Sequence, residues 1–297
     1  MKRIRLWAPA LLLMSPSLLA LALFVYGFIG WNLRVSVTSW RGLLPKYDFV
    51  GLRNYAALMS DARFMQFDVP HIAIFTLVFV GGTLALGFCM ALLLDKKLAG
   101  DALFRSVYLF PMSLSLIVTG IIWRWLLDNG NDASTTGLNK LLESAGLESL
   151  RSDWFRSDSA WAIAAIALPA GWSLSGYVMS LFLAGLRSVP EELREAARVD
   201  GANETRVFWH VIRPMLVPVL MSAIVILAHI SLKTFDLFYA MDAKNIKIDT
   251  PALYMWFTTF DGGFYARGAA IATLLLLGVA LVIVPYIAYT VREERRR

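Results

Sequence analysis

The chain has 297 residues, 58% of them apolar, and a mean hydropathy of +0.61, well above a typical soluble domain. A formal charge of +6 comes without any basic patch interleaved with aromatics, which argues against nucleic-acid binding. One cysteine excludes an internal disulfide framework, scattered His71, His210 and His229 suggest no metal site, and no G-x-x-x-x-G-K-[ST] run is present to cradle ATP.

About 20 apolar residues cross a bilayer, and six stretches reach that length, at 7–31, 72–94, 104–127, 160–186, 216–239 and 266–289. Irregular backbone cannot face lipid, so these are expected to be helices. The first begins with Lys2, Arg3 and Arg5 and passes Ala20-Leu21-Ala22, as a signal peptide would. Its apolar run continues to Trp31, too long for a signal core, so it reads as an uncleaved span. Two intervening loops, 32–71 and 128–159, are long enough to hold short helices. Lone Cys89 falls in the second span. No linker, repeat or second domain interrupts the chain, which reads as one membrane domain over 1–297.

Basic residues set the orientation. With both termini cytoplasmic, the inner segments hold Lys2, Arg3 and Arg5, then Lys96, Lys97 and Arg105, then Arg187, Arg194, Arg198, Arg206 and Arg213, and finally Arg292, Arg295, Arg296 and Arg297. The outer loop 128–159 is acid-rich (Asp132, Glu143, Glu148, Asp153), whereas loop 32–71, with Arg34, Arg41, Lys46, Arg53 and Arg63, runs against the trend.

Between the fourth and fifth spans lies a charged segment, Glu191-Glu192-Leu193-Arg194-Glu195-Ala196-Ala197-Arg198-Val199-Asp200-Gly201-Ala202. Ser188 with Glu191 three residues on suggests a capping box, with Pro190 in the first helical turn. Gly201 can take the positive φ that ends one helix and turns the chain. Leu193, Ala196, Ala197 and Asp200 recur at helical spacing, so small residues on one face would admit another protein closely. Asn203-Glu204-Thr205 matches a glycosylation sequon, read as chance on the cytoplasmic side.

Glu195-Ala196-Ala197, then Gly201, Val211 and Pro214, resembles the EAA loop of bacterial ABC-importer permeases, with Asp200-Gly201-Ala202 typical of the sugar branch. Val211 stands for Ile and Arg213 for Leu in that pattern, so the exit of the loop departs from it. Further resemblances run through most of the chain: Phe49-Val50-Gly51-Leu52-Arg53-Asn54-Tyr55, Phe104-Arg105 with Phe110-Pro111, Trp123 with Gly137-Leu138-Asn139, and Phe235-Asp236. Phe24 to Gly30, Phe110 to Ser115 and Val282 to Tyr286 are similar to permeases of glucose/mannose-type importers. Stretch 242–249 lacks the Gly-Gly-Pro turn that most sugar permeases carry there.

The resemblance implies an all-α membrane protein of six transmembrane helices, with a cytoplasmic coupling loop at about 188–214. It implies a maltose-transporter-type permease of the bacterial cytoplasmic membrane that moves a sugar, a glucose-like monosaccharide favoured. Its partners would be a second permease, two copies of an ABC ATPase and an extracytoplasmic sugar-binding protein. The chain would bind no cofactor and catalyse nothing; ATP and Mg would sit on the ATPase, docked at Glu195, Ala196, Ala197, Asp200, Gly201 and Ala202. Arg124, Lys233 and Asp236 fall inside the expected spans, where charge is expensive. Arg124, between Trp123 and Trp125, reads as an interfacial anchor. Lys233 and Asp236, at i and i+3, could pair across a helical turn. With Tyr239, Trp172, Tyr177 and Trp125 they are the candidate substrate path, Ser231, Thr234 and Ser173 adding hydroxyls. The alternatives are an ABC permease for an oligosaccharide, glycerol phosphate or amino acid, or a secondary transporter without an ATPase.

Overall fold

A computed structural model describes residues 2–96, 100–130, 135–157 and 161–294, without the side chains of 2–11, 289, 293 and 294. The side chains of Lys2, Arg3 and Arg5, together with Lys97, Asp132, Arg295, Arg296, Arg297 and the start of the fourth span at Ala160, lie outside the described residues. The chain is helical: α1 Lys2–Leu21, α2 Phe28–Ser36, α3 Arg53–Met59, α4 Val69–Asp95, α5 Asp101–Leu109, α6 Leu116–Leu127, α7 Gly137–Ser144, α8 Trp161–Arg187, α9 Glu191–Val199, α10 Glu204–Val207, α11 Arg213–Lys233, α12 Asp236–Asp242, α13 Pro251–Trp256 and α14 Tyr265–Glu294. Among the described residues five helices are long and apolar enough to cross a membrane, or six if one bent pair is a single span.

Two expected spans are built differently. The third is that bent pair, Asp101–Ser113 and Leu116–Leu127, meeting at 97°. After a tight turn at Phe110–Ser113 the backbone extends at Leu114 and Ser115, and the Ser115 hydroxyl accepts the Val118 N–H to start α6 afresh. The fifth span stops at Lys233, not near residue 239. Thr234 turns extended and its hydroxyl donates to the Ile230 carbonyl at 2.7 Å, satisfying a helix-end group.

The chain divides into two compact units. In the first, Met1–Asp61 with Tyr254–Leu276, the Asn54 amide donates to the Ser36 and Thr38 carbonyls at 2.8 and 2.9 Å, and the Tyr55 hydroxyl meets Ser36 Oγ at 2.6 Å. The F-x-G-L-x-N-Y residues thus lock the loop to the end of α2. Asn32 donates to the Ala269 carbonyl and Thr273 Oγ1, both at 3.1 Å, and Trp40 stacks on Tyr265.

In the second unit, Ala62–Leu253 with Leu277–Arg297, α8 is the centre. It is the least apolar of the five spanning helices and the most buried, because the most apolar surface belongs where lipid is. Small residues (Ala162, Ala165, Ala170, Gly171, Ser173, Gly176) let neighbours approach. α4 buries one stripe, Ile72, Phe75, Phe79, Thr83, Gly87, Ala91 and Leu94, spaced three or four apart. At Gly87 an added Cβ would lie 2.7 Å from Val178 of α8, so only glycine permits this crossing. Hydroxyls pair across helices, as half-buried Thr76 with buried Ser231 at 2.9 Å. Asn139 is buried and joins the Ser152 carbonyl, the Ser152 N–H and the Trp154 indole at 3.0 to 3.2 Å, so the G-x-N residues organise the outer loop.

Candidate functional site

The segment 191–202 folds as a short helix and a sharp turn. The expected capping box is absent: Ser188 Oγ donates back to the Gly185 carbonyl at 2.7 Å, because α8 runs on to Arg187 and its final carbonyls need donors. Pro190 therefore takes the cap position expected of Ser188, and Glu191 and Glu192 fill the first turn, where the helix dipole favours acids. At the other end Gly201 has φ +84°, its N–H bonds to the Arg198 carbonyl, and the Ala202 N–H reaches the Ala197 carbonyl, both at 3.0 Å. This is the Schellman closure expected of a positive-φ glycine. Asn203 then caps α10 by accepting the Arg206 N–H at 2.9 Å, which gives the sequon asparagine a structural role.

No residue of α9 is fully buried. Its outward stripe is Glu192, Glu195, Ala196 and Val199, with Val199 87% exposed. Of the face expected from spacing, Leu193 and Ala196 are exposed, whereas Ala197 is half-buried beside Arg194. Asp200 and Gly201 are exposed at the tip, with Ala202 half-buried.

Arginines that the sequence reading placed only as inner-side charges hold this helix to the spans. The Arg194 guanidinium donates to the Leu186 carbonyl at 2.7 Å, in the last turn of α8, and lies 3.7 Å from Asp95 at the end of α4. Arg187 donates to the Leu94 carbonyl and to Asp101, both at 3.3 Å, and Asp101 also pairs with Arg105. Arg194 and Arg187 each donate to a carbonyl in the last turn of a helix, where positive charge is favoured. Arg198 bonds Glu204 at 2.8 Å and Glu191 at 3.2 Å, and these carboxylates raise its pKa further above the ordinary arginine value. For Arg187 and Arg194 only the residue type could have flagged the carbonyl contacts, since a backbone oxygen carries no sequence signal.

The path candidates are less collected. Lys233 ends α11 and Asp236 begins α12, with the extended Thr234 between them; both are exposed and no ion pair joins them, so the expected i, i+3 pair is not formed. Tyr239 on α12 is 44% exposed and its ring meets Phe235. Trp125 on α6 is exposed, as is Arg124, consistent with an interfacial anchor. Trp172 and Tyr177 are half-buried on α8, Trp172 meeting Trp123 at 6.0 Å. α6 packs on both α12 and α8, with Gly120 admitting Ala240 closely. α6, α8 and α12 pack together and α11 packs on α8, but no described hydrogen bond, ion pair or ring contact joins any two of the six residues.

Residues 83–297 match the family described as binding-protein-dependent transport system inner membrane component. The chain belongs to that family. This ABC permease is 37% identical over 288 residues to a probable ABC transporter permease protein of Pyrococcus horikoshii, covering 96% of this chain and 97% of that one. It is 35% identical to a xylose/arabinose import permease of Haloferax volcanii (92% and 85% covered) and 28% identical to a glucose import system permease of Saccharolobus solfataricus (97% and 98%). Among solved structures, a bacterial ABC transporter involved in alginate import shares the fold, with TM-score 0.75, 18% identity and 98% of both chains covered. The permease is thus an all-helical, multi-pass transport subunit.

Proposed function

We propose that this permease is one subunit of a sugar importer in the cytoplasmic membrane, driven by a separate ATPase that docks on 191–202. A glucose-like monosaccharide is the favoured cargo. The observation that carries the reading is the combination of an outward, uncovered stripe on α9 with arginine ties to the ends of α4 and α8. A helix so held transmits a push from outside to two spans without bending. The sugar assignment is supported by relatives named for xylose/arabinose, multiple sugars and glucose, and their variety leaves the individual sugar to the test below.

In this reading both termini are cytoplasmic, a second permease completes the pathway, and two ATPase copies bind ATP and Mg. An extracytoplasmic sugar-binding protein delivers the cargo; a solved alginate transporter was captured with its periplasmic protein carrying alginate pentasaccharide. Lys233, Asp236, Tyr239, Trp172, Tyr177 and Trp125 would line the path, with aromatic faces for sugar rings and charge for hydroxyls.

The test is an affinity pull-down from native membranes, comparing the native protein with Glu195→Lys on the outward stripe. The reading expects a P-loop ATPase and a second permease with the native protein, and several-fold less ATPase with the variant. The ligand of the co-purified binding protein identifies the cargo. Recovery without any ATPase would favour a secondary transporter.

A further inference from the structure

An open cavity of about 510 Å³ lies between α4, α8 and the start of α11, on the half of the molecule nearest α9. Its floor is aromatic: Phe88 meets Phe182 edge-on at 5.1 Å and Phe208 at 6.1 Å. Aliphatic walls come from Leu84, Leu216 and Leu220. Among the described residues Arg213 is the only charged one lining it. With Val211, Arg213 is one of two positions at which the sequence departs from the EAA pattern, and the coupling reading gives it no task.

We propose that this groove binds an anionic phospholipid of the leaflet on the α9 side, its acyl chain along the aromatic floor and its phosphate on Arg213. Three features favour that occupant. Apart from Arg213 and the Trp209 indole, no lining side chain carries a hydrogen-bonding group, so a peptide or sugar would bury donors and acceptors without partners. An acyl chain brings none. The Arg213 guanidinium lies over the Trp209 ring at 4.8 Å, which holds its plane and leaves its edge N–H groups for a bidentate phosphate contact. No described carboxylate pairs with Arg213, and basic pockets between spanning helices on the cytoplasmic side suit anionic headgroups.

The site does not depend on the ATPase reading; only the identity of the leaflet does. The experiment purifies the protein with the partners it keeps into nanodiscs of phosphatidylcholine containing phosphatidylglycerol, and counts retained lipid by native mass spectrometry. One arginine at a membrane surface changes anionic-lipid affinity about fivefold, so Arg213→Leu is expected to lower retained phosphatidylglycerol by about that factor. Ala85→Trp fills the groove without altering charge and should do the same. Arg292→Leu removes a basic residue from α14, away from the groove, and should not. A photo-crosslinker at Met221, which lines the groove, should capture lipid. Unchanged retention in Arg213→Leu, or equal loss in Arg292→Leu, would overturn the site. Capture of the second permease at Met221 would overturn it as well, by showing that protein covers the groove.

Discussion

The two candidate sites of the second unit are held in opposite ways. Around α9, Arg194 and Arg187 turn inward onto backbone carbonyls of α8 and α4, while Glu192, Glu195, Ala196 and Val199 face out. Along the candidate path Lys233, Asp236, Tyr239 and Trp125 are themselves exposed, and no described contact joins them. The difference teaches that a part which must transmit force is tied down by its charges. In the proposed reading the part that meets a cargo leaves its charged Lys233 and Asp236 exposed and without a described ion pair. Breaking a tie and deleting an unengaged group should therefore give different phenotypes.

The largest effect is expected at Gly201. An added Cβ there meets nothing within 4 Å, yet φ is +84°, so Gly201→Val strains the backbone without a clash. Left-handed backbone costs a non-glycine residue about 1–2 kcal/mol, and more with β-branching. Uptake in proteoliposomes should fall about tenfold while ATP hydrolysis persists. Gly201→Asn, tolerant of that region, should keep most uptake. Normal uptake by the valine variant would show that the turn does not set the lever.

Arg194→Ala comes next. It removes a charged hydrogen bond to Leu186 and the approach to Asp95, so more ATP should be hydrolysed per sugar moved, by several-fold, with the ATPase still bound. Arg194→Lys keeps the charge but not the fork and should recover part of the coupling. An unchanged ratio in the alanine variant would make the tie merely local. On the path side, Asp236→Ala should lower uptake a few-fold with assembly, ATPase binding and hydrolysis per sugar unaltered. If it transports normally, the residue is outside the path.

How much of this was legible follows from range. The turn at Gly201 depends on one residue's φ and was readable from its spacing. The spans were readable because lipid demands a long apolar run, and α4 shows its buried stripe at three- and four-residue intervals. The capping box failed because Ser188 had a competing acceptor in Gly185, visible only once α8 was known to reach Arg187. The break after Lys233 failed because no proline or glycine marks it; Thr234 ends the helix through its own hydroxyl. Arg187 bonds a carbonyl 93 residues away, a relation no local pattern encodes. Asn54 and Asn139 carry the resemblance in the sequence, and in the structure they fasten loops.

A smaller effect would sharpen the comparison through pH. In the second unit the start of the α4 span meets the segment before α13: Arg63 donates to Asp249 Oδ2 at 2.6 Å, His71 Nδ1 meets the Asp249 carbonyl at 2.9 Å, and Asp68 is buried nearby. Asp249 is 1% exposed, and burial pushes its carboxyl above the ordinary aspartate range even though Arg63 opposes the shift. A folded-state pKa above the unfolded value means the folded chain holds the proton more tightly. The resulting stabilisation is complete below about pH 4, the unfolded aspartate range, and is lost as pH rises through the folded value. Arginine-to-carbonyl ties at the α9 end have no comparable titration. Thermal melting in detergent should therefore show a modest fall in midpoint as pH rises from about 4. In Asp249→Asn, which cannot titrate, that slope should flatten, whereas Arg194→Ala should leave it in place. A slope that survives Asp249→Asn would assign the loss of stability with rising pH to another titrating group.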